Sequence, residues 1–348
     1  MNNLNGTHSI DKFIESALYD KNYGYYSKKN PFGKQGDFIT APLISPLFSE
    51  MILVWVISYW INLGKPKEFF LVELGPGDGS FCKTFCNSLK KFPSFENSVK
   101  IFLFERSKTL IKIQKNTVKN KKVTWIKNLS QIKKGPTLFF GNEFFDSIPI
   151  KQFEIRNSSV YEKFVQFKNN RFNKFVFKKV SSNTQKKLKK LDLLRKKGII
   201  EYPLKGLKIL ETIVKKINKL NGGILLIDYG YTKAQGNDTL QSIKTHKKNM
   251  FYENIGKADI TYLVNFGLLN NFFANKKLII NKIVSQNFFL KKLGIIERAE
   301  ILSKNISFKE KVDLYYRLER LLSEKKMGSL FKVLFASKNK TKFNLGFK

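Results

Sequence analysis

The segment LVELGPGDGS, Leu71 to Ser80, carries Glu73 near the end of an apolar run and follows it with Gly75, Gly77 and Gly79. Glycines at alternate positions let a backbone turn tightly with no side chain in the way. An apolar run that enters such a turn and leaves it as a helical pattern is a strand-to-helix crossing. Open α/β sheets bind their ligands at the carboxyl ends of such strands. A dinucleotide site would show G-x-G-x-x-G, with the pyrophosphate on the helix N-terminus. The spacing here is G-x-G-x-G beside a carboxylate, which suits a ligand that has no phosphate and a cationic amino-acid end. S-adenosylmethionine has that chemistry; an ordinary glycine-rich turn is the bland alternative.

Glu105 follows Glu73 by 32 residues and closes a second apolar run, Lys100 to Glu105. In a βαβ unit an acidic residue at that place can accept hydrogen bonds from ribose hydroxyls. A third acidic group stands in GNEFFDSIP, Gly141 to Pro149, where Glu143 and Asp146 lie three residues apart. Methyl transfer from a sulfonium needs the nucleophile's lone pair in line with the methyl group, so positioning dominates. If the acceptor is a guanidinium, a carboxylate must orient it and help it shed a proton. The competing reading of the same residues is a helix start capped by Asn142 or Asp146. GKQGDFITAP, with Gly36, Asp37 and Thr40, reads as a surface loop that could serve as a lid.

These groups need a scaffold, and the hydrophobic pattern supplies one. Ser45 to Leu63 reads as a single apolar helix with Pro46 at its start and Gly64 at its end. Strands are expected at Phe69–Leu74, Lys100–Glu105, Val123–Ile126 and Thr137–Phe140, with helical stripes between them. Cys82 and Cys86 fall one turn apart on such a stripe and read as small core residues. Alternating strands and helices at this spacing predict a parallel sheet covered by helices. From Phe153 to about Gly198, Phe and Val alternate with Lys and Asn, which predicts inserted antiparallel strands; a lysine-rich helix is expected over Gln185–Lys197. Glu211–Leu220 reads as a helix and Ile224–Ile227 as a buried strand ending at Asp228-Tyr229-Gly230. The tail from Phe288 to Lys332 is expected to be mostly helical, with a strand at Val333–Ala336.

The 348 residues carry a formal net charge of +37, and only seven of the 64 basic residues are arginine. Recognition of phosphates and bases draws on arginine's bidentate fork. Lysines scattered over the whole chain, beside abundant Phe, Ile and Asn, therefore fit composition bias better than specific nucleic-acid binding. Two cysteines and two histidines make a Cys/His zinc site improbable, and no metal is expected. The start lacks the basic and apolar regions of a signal peptide, and Met51–Ile61 is too short to span a bilayer. These readings predict a cytoplasmic protein without membrane insertion.

Taken in order, these segments resemble the MidA-type S-adenosylmethionine-dependent methyltransferases, the family of the mitochondrial complex I assembly factor that methylates arginine. ALYDKNYGYYSKKNPFGKQGDFITAP (Ala17 to Pro42) is similar to the family's amino-terminal signature. LVELGPGDG, NEFFDSIPI, LIDYG, DTLQSIKTH, ADITYLVNF, LKKLGI and MGSLFKVL follow in family order. The resemblance implies a class I, Rossmann-like, seven-stranded α/β fold with inserted antiparallel strands and helical additions. It implies S-adenosylmethionine as cofactor and, as partner, a protein carrying the acceptor arginine, in relatives the 49-kDa-type subunit of complex I. Glu73, Gly75, Gly77, Gly79, Glu105 and Asn142 would bind the cofactor, Glu143 and Asp146 would face the acceptor, and Gly36, Asp37 and Thr40 would help close the site. Leu43 stands where the family usually has a glutamate, and Asp78 where a basic residue is usual. The expected division is a lid and helical segment (1–64), the first half of the cofactor-binding core (65–152), an inserted β-rich partner region (153–200) and the second half of the core (201–348). Two rival functions remain at this point, a non-catalytic assembly chaperone that keeps cofactor binding and an RNA or small-molecule methyltransferase. The oligomeric state stays open, a homodimer included.

Overall fold

A computed structural model describes residues 5–28, 31, 33, 39–194, 198–233, 236–244, 247–338 and 343–348. Its centre is a sheet of strands β1 (Phe69–Leu74), β2 (Val99–Phe104), β3 (Val123–Ile126), β4 (Thr137–Asn142), β5 (Gly222–Tyr231), β6 (Ile279–Ile280) and β7 (Phe331–Ser337). They lie in the order β6-β7-β5-β4-β1-β2-β3. β1 to β5 are mutually parallel, whereas β7 runs antiparallel to both β5 and β6. Two short strands, Val264–Asn265 and Val284–Ser285, pair with β5 and β7 and bring the sheet to nine strands, seven of which follow the order of the α/β fold expected. The strand order reverses between β4 and β1, and such a switch point opens a crevice at the carboxyl ends of the strands.

Side-chain alternation along each strand divides the apolar residues between two faces. Leu71, Leu138, Phe140, Leu225, Ile227, Val333 and Phe335 pack on one side with helices α2 (Pro46–Asn62) and α3 (Ser80–Leu89) and with the carboxyl-terminal helices. Val72, Leu74, Phe139, Ile224, Leu226 and Leu334 pack on the other with α1 (Ile10–Tyr19) and α5 (Leu204–Leu220). α2 is apolar almost all round because it lies between α3 and the carboxyl-terminal helix Ile295–Ser303. Its Trp55 and Tyr59 stack with ring centroids 5.7 Å apart and meet Phe335 and Phe343 edge-on or tilted. Each such ring buried contributes about 1.5–3 kcal/mol. Cys82 and Cys86 are free and buried within this layer. Among the described residues no helix is long and apolar enough to cross a membrane.

The inserted segment forms a second, antiparallel sheet from Lys151–Arg156, Ser159–Lys168, Arg171–Lys179 and Gly198–Tyr202. A strand far away in sequence, Gly6–Ser9, pairs with Ser159–Lys168 and ties the amino-terminal segment to this sheet. The lysine-rich helix occupies Ser182–Lys190, earlier than the expected Gln185–Lys197, because the Ser181 hydroxyl accepts the Thr184 N–H and caps it there. Residues 195–197 lie outside the described residues.

Candidate active site

One cavity opens over the carboxyl ends of β1, β2 and β4. Glu73, Gly75, Gly77, Glu105, Asn142, Glu143, Asp146 and Thr40 all line it, so the structure brings together most of the residues singled out from sequence. Gly36 and Asp37 lie outside the described residues. Gly79 differs. It is the N-cap of α3 at φ 87°, and a Cβ there would sit 3.0 Å from Val118 Cγ2 and 3.3 Å from Gln114 Cα. It is needed for the close approach of α4 (Lys108–Val118) beneath the turn and does not line the cavity.

The turn after β1 keeps its expected character. Gly75 (φ 63°) and Gly77 (φ 57°) both have left-handed backbone, and a Cβ on Gly75 would lie 2.8 Å from Phe144 Cδ2. Asp78 serves the helix start, with Oδ1 accepting the Ser80 N–H and Oδ2 the Ser80 hydroxyl. Glu73 is only 5% exposed, and its Oε2 has no hydrogen-bond partner. Burial, with Cys86 and Asp78 nearby, pushes its carboxyl well above the ordinary range. A buried carboxyl with one bare oxygen, at the wall of a cavity, is a receptor for a cationic group.

Glu105 is instead held from behind. Its Oε1 accepts the Ser107 N–H at 2.7 Å and its Oε2 accepts from Gln114 Nε2 at 3.2 Å. Gln114 Nε2 also reaches the Gly77 carbonyl, and Gln114 Oε1 accepts from Trp125 Nε1. Burial raises the Glu105 carboxyl against these donors. Gln114, fully buried, thus couples the glycine turn to the β2 carboxylate. Nothing in the sequence analysis singles it out.

The segment after β4 is a turn, and the capped helix start weighed from sequence does not form. Glu143 itself takes left-handed backbone, φ 50°, while its N–H donates to the Ile227 carbonyl. That conformation costs a glutamate on the order of 1 kcal/mol or more and is characteristic of functional turns. Its Oε1 accepts from the Ala41 N–H at 3.3 Å and from Asn142 Nδ2 at 3.1 Å, which ties the start of helix Ala41–Ile44 to the site. Asp146 Oδ2 accepts the Tyr229 hydroxyl at 2.5 Å, whereas its Oδ1 is buried and unpartnered, as is Asn142 Oδ1. Asp228, at the end of β5, accepts the N–H groups of Phe145 (2.9 Å), Asp146 (3.3 Å) and Tyr229 (3.0 Å). Its role in shaping this turn was not read from LIDYG, because it depends on a contact across more than 80 residues.

Three carboxyls buried so close together cannot all ionise. Burial and the neighbouring Asp146 push Glu143 up to about 8. Burial pushes Asp146 up to about 6 against the Tyr229 hydrogen bond. Burial, Asp146 and Glu143 push Asp228 well above its ordinary range. Among the described residues no lysine or arginine is ion-paired to Glu143, Asp146 or Asp228, although the chain as a whole is strongly basic.

Residues 51–283 match the model of the family described as "Putative S-adenosyl-L-methionine-dependent methyltransferase". A Caenorhabditis elegans protein named "Protein arginine methyltransferase NDUFAF7 homolog, mitochondrial" is 33% identical, the match covering 85% of this chain and 75% of the relative. The Danio rerio "Protein arginine methyltransferase NDUFAF7, mitochondrial" is 27% identical over 94% of this chain and 82% of its own length. A Burkholderia thailandensis crystal structure with bound S-adenosyl-homocysteine superposes with a TM-score of 0.79 at 21% identity, over 99% of this chain and 89% of that one. The superposition shows the shared fold. The curated relatives are named mitochondrial, which overturns the cytoplasmic placement expected from the sequence.

Proposed function

We propose, on the premise that this chain belongs to the S-adenosylmethionine-dependent methyltransferase family of the NDUFAF7-type, MidA-like enzymes, that it methylates an arginine side chain of a partner protein. The chain is a methyltransferase with S-adenosylmethionine as its methyl donor. The observation that carries the arginine reading is the pair Glu143 and Asp146 in one wall of the cavity, with no lysine or arginine ion-paired to either among the described residues. It suits a cation, and the names of the relatives point to the guanidinium.

Glu73, with its bare oxygen, would hold the amino-acid end of the donor, and Glu105, braced by Gln114, its ribose hydroxyls. Gly75 and Gly77 leave room for the donor to lie against the backbone, a cradle that any Cβ at Gly75 would fill. When bound, the donor supplies an electrophilic methyl on a sulfonium. Glu143 and Asp146 would orient the guanidinium so that one nitrogen faces that methyl, and Glu143 would take the proton this nitrogen gives up as the nitrogen–carbon bond forms and the carbon–sulfur bond breaks, with the neutral thioether as leaving group. Burial has already raised Glu143 to about 8, which suits a carboxylate for accepting a proton near neutral pH.

We take the partner to be a respiratory complex I subunit, in keeping with the resemblance to the assembly-factor family. The inserted sheet at 151–202, beside the amino-terminal segment that borders the cavity, is the surface on which we place it.

The reading predicts that acceptor binding releases a proton. At pH 7 an empty site keeps Glu143 mostly protonated, and a bound guanidinium favours its ionised form. Calorimetric titration of N-acetylarginine amide into the protein loaded with S-adenosylhomocysteine should give a binding enthalpy that depends on the buffer's own ionisation enthalpy, corresponding to about one proton released. An enthalpy identical in phosphate and Tris would contradict the assignment.

A further inference from the structure

We propose that Tyr229 is a positioning residue for the acceptor: its hydroxyl fixes one oxygen of Asp146 and thereby aims the other, unpartnered oxygen at the guanidinium. The inference rests on the arginine reading and assigns a role at that site to a residue that the sequence marked only as part of LIDYG.

Tyr229 follows Asp228 on β5, where the register sets it beside Phe331 of β7. The two rings meet edge to face, with centroids 5.5 Å apart, so the phenol is held from below by the sheet itself. Successive residues of β5 therefore grip the turn after β4 in two ways. Asp228 takes its backbone N–H groups, and Tyr229 takes the Asp146 side chain. A carboxylate held at one oxygen by a rigid strand has lost its freedom to rotate, and the cost of orienting it is met before the acceptor arrives. Asp146 is 8% exposed and lines the cavity, and its buried Oδ1 is the side-chain oxygen that Tyr229 leaves without a hydrogen-bond partner. The groups that face Asp146 electrostatically are Glu143, Asp228, Tyr229, Tyr26 and Tyr262. Burial and the adjacent Asp146 and Asp228 keep the Tyr229 phenol protonated, so it remains a donor throughout the working range.

Tyr229→Phe retains the ring against Phe331 and removes only the hydroxyl, so the test compares this variant with the wild type. Affinity for S-adenosylhomocysteine should stay within about twofold. kcat/KM toward an arginine acceptor should fall about 10-fold to 100-fold, the loss expected for a hydrogen bond to a charged group. The 13C carboxyl resonance of Asp146, assigned with Asp146→Asn, should titrate at higher pH in the variant, because the Tyr229 hydrogen bond favours the ionised form. An unchanged kcat/KM would overturn the proposal. A lower kcat/KM with an unmoved Asp146 titration would overturn it too, since loosened packing would then be the cause. A wild-type enzyme that methylates no arginine would instead remove the acceptor reading. In that case an unmoved carboxyl titration would still refute the hold of Tyr229 on Asp146, and a shifted one would uphold it.

Discussion

Glu143→Gln is expected to lower turnover by about 10²-fold to 10³-fold while leaving affinity for S-adenosylmethionine within about twofold. The substitution keeps shape and volume. A glutamine oxygen can still accept from the Ala41 N–H, so the contact with the start of helix Ala41–Ile44 survives. What disappears is the capacity to take a proton and to carry negative charge beside the guanidinium, a contribution typically worth 10² to 10⁴ in rate. In free energy the expected loss is about 3–4 kcal/mol. Because Glu143 is raised to about 8, wild-type kcat/KM should climb with pH through that region as the carboxylate forms. The Gln variant should lack this rise. Steady-state rates across pH 6 to 9, with donor affinity measured separately by calorimetry, check both statements. Turnover equal to wild type would remove Glu143 from the chemistry.

Glu73→Gln should separate binding from stability in the opposite direction. The Glu73 carboxyl is buried with one bare oxygen, so in the donor-free protein it is an uncompensated polar group whose ionisation burial opposes. Binding of a cationic amino-acid end supplies the missing partner. The Gln variant should therefore bind S-adenosylmethionine about 10-fold to 100-fold more weakly, the value of one charge-assisted hydrogen bond. Its melting temperature without donor should equal or exceed that of the wild type. The sign follows from linkage: a carboxyl whose folded pKa lies above its unfolded value weakens stability as pH rises above the unfolded value. The gain in melting temperature should therefore be larger at pH 8 than at pH 5. Undiminished donor affinity in the variant would show that Glu73 does not hold the donor.

Both residues were visible in the sequence, and the reason is local. Glu73 stands next to last in β1 and Glu105 directly after β2, and each short apolar run, followed at β1 by a glycine turn, marks its strand end with little help from the rest of the chain. Elements whose extent depends on distant partners were read too short. The helix expected from Glu211 begins at Leu204. Gly206 disguises its first turns, and that glycine is there because a Cβ would lie 2.8 Å from Phe145 Cε1. β5 was read as Ile224–Ile227 but runs from Gly222 to Tyr231, since pairing with β4 and β7 overrides the poor strand propensity of Gly222, Gly223 and Asp228. The Gly6–Ser9 strand left no trace, as its register is set by residues more than 150 positions away.

The same distinction governs the site. Glu143 and Asp146 stand out as acidic groups within an apolar context, so their types and spacing could be read directly. The hydrogen bonds that hold their turn come from Asp228, Tyr229 and Ala41, and their raised pKa values come from burial, all of which the fold alone brings about. Gln114 belongs to the same class, because its amide acts only where α4 passes beneath the glycine turn.

The most direct test incubates the purified protein with methyl-labelled S-adenosylmethionine and isolated complex I subunits, then locates the label by mass spectrometry of the digested proteins. The account predicts label on an arginine side-chain nitrogen of one subunit, reduced by at least about 10²-fold with Glu143→Gln. Label on no arginine, in an enzyme shown to bind the donor, would contradict it.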